Sequence, residues 1–237
     1  MTKRELLISL AVHYCGDYNK IRKAILNNEE TEIKSCPNCI TIFDNEYPKK
    51  LLDLKYPPFV LFYKGNLSLL SEEKIGVVGS RLPCEYAIEA TKTLCKKKSD
   101  FVIVSGLAKG IDACVHENAT KSIGVLGCGI DYIYPACNKN LYERLEKEGL
   151  IISEYPDKTV PYPFHFPFRN RLIAALSNTV YIMEAHEKSG TLTTINEALE
   201  LGKEIKVLPF DLFNDNGKYN NYLIEEGAMI INYDDLH

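Results

Sequence analysis

The chain has 237 residues, of which 46% are hydrophobic and 25% charged, and its formal net charge is −4. That leaves room for one large α/β domain, or one domain with a small appendage, with the composition of an ordinary soluble globular protein. No apolar run approaches the roughly 18 residues of a membrane span, and the acidic balance means that any polyanion must be held by a local basic patch.

The first residues, MTKRELLISLAVHYCG, loosely imitate a signal peptide. Glu5 precedes the apolar stretch, however, that stretch is short, and no small-residue cleavage site follows. Leu6, Leu7, Leu10 and Tyr14 fall at helical spacing instead, which predicts an amphipathic helix over residues 6–14; a second helix is expected over 18–27. The protein is expected to be cytoplasmic. Its eight cysteines are scattered, and a disulfide framework would be unusual at this length in that compartment. Cys36-Pro37-Asn38-Cys39 is a lone Cys-x-x-Cys. A structural zinc needs four ligands and only two are visible, so the pair reads as ordinary linker thiols, with metal or redox work as the alternative. No metal or cofactor is expected.

Residues 36–44 form a short β-rich stretch, Tyr47-Pro48 marks a turn, and a helical piece at 49–54 is stopped by Tyr56-Pro57-Pro58. A strand at 59–63 closes at Gly65-Asn66. From Lys74 a regular alternation begins. Strands are expected at 75–78, 101–104, 123–126, 150–153, 179–183 and 204–208, with a last edge strand at 229–233. Helices are expected between them at 86–97, 111–119, 139–148, 170–176 and 192–201; the stretch 211–222 has no assigned shape. This pattern predicts an α/β, doubly wound, mostly parallel sheet with right-handed crossovers. Residues 1–44 form a short N-terminal helical/β extension and residues 45–237 the main domain.

In such sheets ligands sit outside the carboxyl ends of the strands. The residues there are Gly79-Ser80-Arg81, Ser105-Gly106-Leu107-Ala108-Lys109-Gly110, Gly127-Cys128-Gly129-Ile130-Asp131, Glu154-Tyr155-Pro156, the segment 184–191, and Pro209. The turn at 105–110 joins a buried strand to a helix start, where free N–H groups and the helix dipole favour an anion, and Lys109 adds a cation. Lys188-Ser189-Gly190-Thr191 opens another helix in the same way. The stretch PYPFHFPFRNR, 161–171, interleaves Tyr162, Phe164, Phe166 and Phe168 with His165, Arg169 and Arg171. Stacking faces beside guanidinium forks suit a single strand of nucleic acid; two of these four aromatics are expected to plug the core instead.

Other chemistries fit less well. The Gly-x-Gly-x-x-Gly and Walker spacings are absent. Asp112 and His116 share a helix face and could act as an acid–base pair, but no nucleophile stands beside them; Asp112 is expected to orient the turn and His116 to pack on the sheet. Glu184 with His186 keeps a hydrolytic possibility open.

Taken in order, the motifs resemble the DprA/Smf family of bacterial DNA-processing proteins. They run from Tyr47-Pro48 and Leu51-Leu52 through Pro58-x-Val60-Leu61-Phe62 and Lys64-Gly65-Asn66 to Val77-Val78-Gly79-Ser80-Arg81. Then come Val104-Ser105-Gly106-x-Ala108-x-Gly110-Ile111-Asp112 with His116, Leu126-Gly127-Cys128-Gly129-Ile130-Asp131, Tyr134-Pro135 and Ser153-Glu154-Tyr155. Phe166-Pro167-x-Arg169-Asn170-Arg171-x-Ile173, Glu184-Ala185, Lys188-Ser189-Gly190-Thr191-Leu192-x-Thr194 and Leu223-Ile224-x-x-Gly227-Ala228 complete the series. The resemblance implies an extended Rossmann-like domain without enzymatic activity. It also implies a homodimer that binds and protects incoming single-stranded DNA and loads the RecA recombinase in natural transformation. The expected DNA-binding set is Gly79, Ser80, Arg81, Ser105, Gly106, Lys109, Gly110, Phe166, Arg169, Asn170, Arg171, Lys188, Ser189 and Gly190, with Arg81, Arg169 and Lys188 gathered into one cradle. Loss of Arg81 or Arg169 is expected to abolish binding with little change in stability.

Against the family pattern a shortened N-terminal helical region and no C-terminal winged helix are expected, and Pro209-Phe210 stands where Pro-Gly is usual. The rival is a Rossmann-type hydrolase of nucleoside monophosphates. Its Pro-Gly-Gly-x-Gly-Thr-x-x-Glu turn corresponds here to 188–194, with no carboxylate until Glu197. A vestigial pocket on an interaction scaffold is a third reading.

Overall fold

The computed structural model describes residues 1–36 and 38–236. Pro37 of the Cys-x-x-Cys and the chain end at His237 lie outside the described residues. Two capped helices begin the chain. α1 (Lys3–His13) starts in a capping box, with Glu5 N–H donating to Thr2 Oγ1 at 3.2 Å and Thr2 N–H to Glu5 Oε2 at 2.7 Å. α2 (Tyr18–Leu26) is capped by Asp17.

Nine strands then form one sheet among the described residues: β1 (Cys39–Thr41), β2 (Val60–Gly65), β3 (Lys74–Val78), β4 (Val102–Ser105), β5 (Ser122–Leu126), β6 (Leu150–Ser153), β7 (Thr179–Ile182), β8 (Glu204–Val207) and β9 (Met229–Ile230). The spatial order is β1-β2-β6-β5-β4-β3-β7-β8-β9. The run from β6 to β9 is parallel, while β2 pairs antiparallel with both β6 and β1. The remaining helices are α3 (Glu85–Lys97), α4 (Ile111–Asn118), α5 (Lys139–Glu148), α6 (His165–Leu176), α7 (Thr191–Glu200), α8 (Lys218–Glu225) and α9 (Tyr233–Leu236).

Alternate residues of the strands feed the two faces. Val102 and Val104 pack with Leu172, Ile173, Leu176 and Ile195, which puts α6 and α7 on one face. Ile103 joins Ile75, Val77, Leu94, Ile111 and Val115, which puts α3 and α4 on the other. Leu7, Leu10 and Ile21 of the N-terminal helices pack with Phe62, Leu145 and Ile151, so the extension shares its apolar interior with β2, β6 and α5. The fold is the doubly wound α/β sheet that the alternation predicts, with helices on both faces.

Three local differences have physical reasons. α6 begins at His165 rather than at 170. Pro167 falls in its first turn, where a missing N–H leaves no intrahelical bond unmade, so part of the expected loop 161–171 is helix. The stretch 211–222 holds a short 3-10 turn, Asp215–Gly217, and the start of α8. The last strand is only Met229–Ile230, with α9 following where its continuation was expected.

Strand order reverses at β3, which pairs with β4 on one side and β7 on the other. A crevice therefore opens at the carboxyl ends of β3 and β7, the place where such sheets hold ligands.

Candidate nucleic-acid interface

Two contiguous hollows occupy that crevice. A cleft of about 620 Å³ is lined by Gly79, Ser80, Arg81, Phe166, Arg169, Asn170, Ser189 and Gly190, together with Leu82, Tyr134, Asp112, His186, Thr191 and Thr194. A deeper hollow of about 240 Å³ adjoins it through Arg81, Ala108, Tyr134, Phe166 and Arg169, and adds Lys109, Leu107 and the strand-end residues 125–128.

The wall after β3 is fixed by backbone bonds. Ser80 is buried; its carbonyl accepts from Ile111 N–H at 3.0 Å and its Oγ from Leu82 N–H at 3.1 Å. Arg81 projects into solvent, its guanidinium 6.0 Å from the centre of the Phe166 ring, and among the described residues it makes no ion pair.

In the turn after β4 the chain itself takes up two of the amides and the Ser105 hydroxyl. Ser105 is fully buried and spends its hydroxyl on the Val77 carbonyl at 2.7 Å. Gly110 caps α4 at φ +76, and a Cβ there would lie 2.3 Å from the Ser80 carbonyl, so only glycine brings the turn this close to β3. The Ile111 amide is taken by Ser80, and the Ala108 amide donates to Asp112 Oδ2 at 3.4 Å. The anion at this helix start is thus the chain's own Asp112. His116 lies beneath, with Nε2 2.5 Å from the Gly106 carbonyl and Nδ1 3.0 Å from Ser122 Oγ. Burial lowers its pKa to about 4. Asp112 and His116 therefore hold the turn, Asp112 orienting it as expected and His116 bonding it to β5. Lys109 stands exposed at the tip of the turn, on the rim of the deeper hollow.

α6 supplies the floor. Arg169 is only 5% exposed, which makes it a structural cation rather than an open one. Its Nε donates to Asn170 Oδ1 at 3.0 Å and its Nη1 to the Val125 carbonyl. Gly106 leaves room for it: a Cβ on that glycine would meet Arg169 Nη1 at 2.9 Å and Asp112 Oδ2 at 2.3 Å. Burial lowers the Arg169 pKa, with Asp112 opposing; burial raises the Asp112 pKa, with Arg169 opposing. The expectation that removing Arg169 spares stability is therefore corrected. A side chain that satisfies two buried partners and faces a buried carboxylate cannot be truncated cheaply.

Arg171 is not brought to the cleft. Its guanidinium forks onto Glu154 at 2.5 and 2.6 Å, donates to the Tyr56 carbonyl at 3.1 and 3.2 Å, and sits 3.6 Å over the Phe168 ring. It ties α6 to the end of β6. Ser105, Gly106, Gly110 and Lys188 also lie outside the lining of both hollows. Lys188 is exposed in the loop before α7 that contributes Ser189 and Gly190, so two of the three expected cations, Arg81 and Arg169, share the cleft and Lys188 stands beside it.

Past β7, Glu184 is fully buried, accepting from Cys84 N–H at 2.8 Å, with His186 Nε2 3.3 Å from its other oxygen. Asn170 Nδ2 donates to the Gly190 carbonyl at 3.0 Å and clamps this loop to α6. Lining residues outside the expected DNA-binding set include Tyr134, His186, Thr191 and Thr194. Thr191 and Thr194 lie one helical turn apart on α7, a spacing that a period-3.6 scan of the turn would find.

Fold and site define a doubly wound α/β protein with a cation-rimmed, aromatic-walled cleft at its topological switch point. The profile of the DNA recombination-mediator protein A family matches residues 38–237, and the chain belongs to that family. It is 38% identical over 219 residues to the DNA processing protein DprA of Streptococcus pneumoniae, covering 90% of this chain and 76% of that protein. With DprA of Bacillus subtilis it is 41% identical over 203 residues, covering 82% and 68%. Among solved structures, DprA of S. pneumoniae superposes with a TM-score of 0.81 at 31% identity, covering 98% of this chain and 95% of that one. The structure of the single-stranded DNA binding mode of DNA processing protein A from Helicobacter pylori gives 0.75 at 37% identity, covering 81% and 90%. Among the described residues no helix is long and apolar enough to cross a membrane, and no group of His, Cys, Asp or Glu could hold a metal.

Proposed function

We propose that this protein binds single-stranded DNA in the crevice above β3 and β7. The observation that carries the reading is the pairing of open cations with rings at one place: exposed Arg81 and Lys109 line the same hollow as Phe166 and Tyr134. Phosphates meet the cations and bases lie on the rings, which recognises a strand with little sequence preference. Arg169 acts from below, holding Asn170 and the end of β5 in place. The H. pylori relative, whose structure concerns single-stranded DNA binding, supports the ligand. Membership of a recombination-mediator family supports the finer reading: a cytoplasmic homodimer that protects incoming strands and hands them to RecA.

The competing hydrolase needs a carboxylate one turn into α7. Thr194 occupies the cleft there and Glu197 does not line it. Native mass spectrometry with and without oligo-dT, repeated with purified RecA, tests strand binding, subunit count and partner together. A dimer that gains an oligonucleotide and then RecA is expected. Release of adenine from AMP without any strand binding would reverse the assignment.

A further inference from the structure

The Cys-x-x-Cys is not absorbed by the cleft. It lies at the outer edge of the sheet, where Cys39 opens β1, separated from β3 by β2, β6, β5 and β4. Its two cysteines are folded against each other: the Cys39 thiol donates to the Cys36 carbonyl oxygen at 3.1 Å. The two differ in access: Cys39 is 3% exposed within the apolar cluster under α1, while Cys36 is half-buried. Arg4 brings a cation to the pair, its Nη2 donating to the Cys39 carbonyl at 3.1 Å.

We propose that Cys36 and Cys39 form a redox-active dithiol that exchanges with low-molecular-weight disulfides, Cys36 attacking and Cys39 resolving. The turn that brings the Cys39 thiol to the Cys36 carbonyl keeps the two side chains near one another, and unequal access sets the order of events. The hydrogen bond from Cys39 lowers the Cys36 pKa to about 7, with Arg4 helping and Asp157 opposing. The same bond and burial raise that of Cys39, with Asp44 adding to the rise. A thiol in its thiolate form near neutrality, backed by a buried partner that stays protonated, is the arrangement that separates a nucleophile from a resolving group.

The exchange balances. The Cys36 thiolate attacks one sulfur of a disulfide RSSR, forming Cys36–S–S–R and expelling RS⁻, which takes up the proton that Cys36 released. Cys39 then loses its proton and attacks the Cys36 sulfur, expelling a second RS⁻, which that proton converts to RSH. The dithiol is oxidised by two electrons and RSSR is reduced to two RSH. Other cysteines do not compete in this way: burial raises the thiols of Cys95, Cys114 and Cys128 to about 12, 11 and 11, and raises that of Cys84 as well.

Cys15 and Cys137 are exposed and serve as controls within the same molecule. The reduced full-length chain is mixed with oxidised glutathione, quenched by alkylation at intervals, and mapped by peptide mass spectrometry. At pH 7 a thiol with a pKa near 7 is about half thiolate against a few per cent for an ordinary one, and its weaker nucleophilicity cuts the gain to about threefold. Cys36 is therefore expected to react about three times faster than Cys15 and Cys137 at pH 7 and about six times faster at pH 6. The product in the wild type is a Cys36–Cys39 bond, and in Cys39→Ser a stable glutathione adduct on Cys36. Equal rates at the three cysteines, or glutathione persisting on Cys36 of the wild type, would overturn the proposal. Neither result depends on DNA binding.

Discussion

Arg169→Met replaces the floor of the cleft by an uncharged side chain of comparable length. The wild-type guanidinium donates to the Val125 carbonyl and Asn170 Oδ1, and it opposes the desolvation of Asp112, which is itself only 8% exposed. Removing a buried, hydrogen-bonded charge that lies near an opposite buried charge costs about 3–5 kcal/mol, equivalent to roughly 6–20 °C in Tm for a chain of this size. Adding Asp112→Asn removes the carboxylate left without its cation, so the double variant is expected to recover about 1–3 kcal/mol relative to the sum of the singles. The loss in Arg169→Met also depends on pH. Asp112 has a folded pKa above its unfolded one, so its ionisation costs stability progressively as pH rises through the folded value. Without the guanidinium that folded pKa climbs further, and the deficit against wild type is larger at pH 8 than at pH 5. Urea denaturation followed by circular dichroism measures all three chains. An Arg169→Met protein within about 0.5 kcal/mol of wild type, or strict additivity with Asp112→Asn, would refute the structural role.

Arg171→Met leaves Glu154 buried without its fork and is expected to cost about 3–5 kcal/mol, while the folded fraction keeps wild-type affinity for oligo-dT in anisotropy titrations. Gly110→Ala puts a Cβ 2.3 Å from the Ser80 carbonyl at a φ of +76; calorimetry is expected to show a loss of about 1–3 kcal/mol or more. His116 has a folded pKa of about 4 against 6.5 for the free group. The unfolded chain therefore takes up its proton first. The stability contributed is fully present above pH 6.5 and is lost as pH falls to about 4, by about 3 kcal/mol in all. His116→Asn flattens that part of a pH–stability curve.

The elements of the parallel sheet were legible because each combines a β-branched run with a small-residue break and an amphipathic helix. The location of the site followed, since strand ends gather wherever the strand order reverses. What the pattern hid was the direction in which side chains point. Arg169 and Arg171 look equivalent when 161–171 is read as a loop. On a helix at 100° per residue they stand about 200° apart, one under the cleft and the other against Glu154. Ser105 sits at a strand end of the right composition, yet its hydroxyl turns inward to Val77. Asp112, in the first turn of α4, reaches back to the Ala108 amide, a contact that the composition of the turn does not reveal.

The cleft's claim to a strand rests on its two open cations, and their loss reads out most directly. Arg81→Ala/Lys109→Ala removes two exposed charges without ion-pair partners, so stability changes by no more than about 0.5 kcal/mol per site. Titration of labelled oligo-dT by fluorescence anisotropy between low and moderate salt gives affinity and its salt slope. The account predicts a loss of about 10-fold or more for each charge-assisted contact removed, and a slope reduced by about 0.7 per phosphate contact. Unchanged affinity with an unchanged slope would place the strand elsewhere on the molecule.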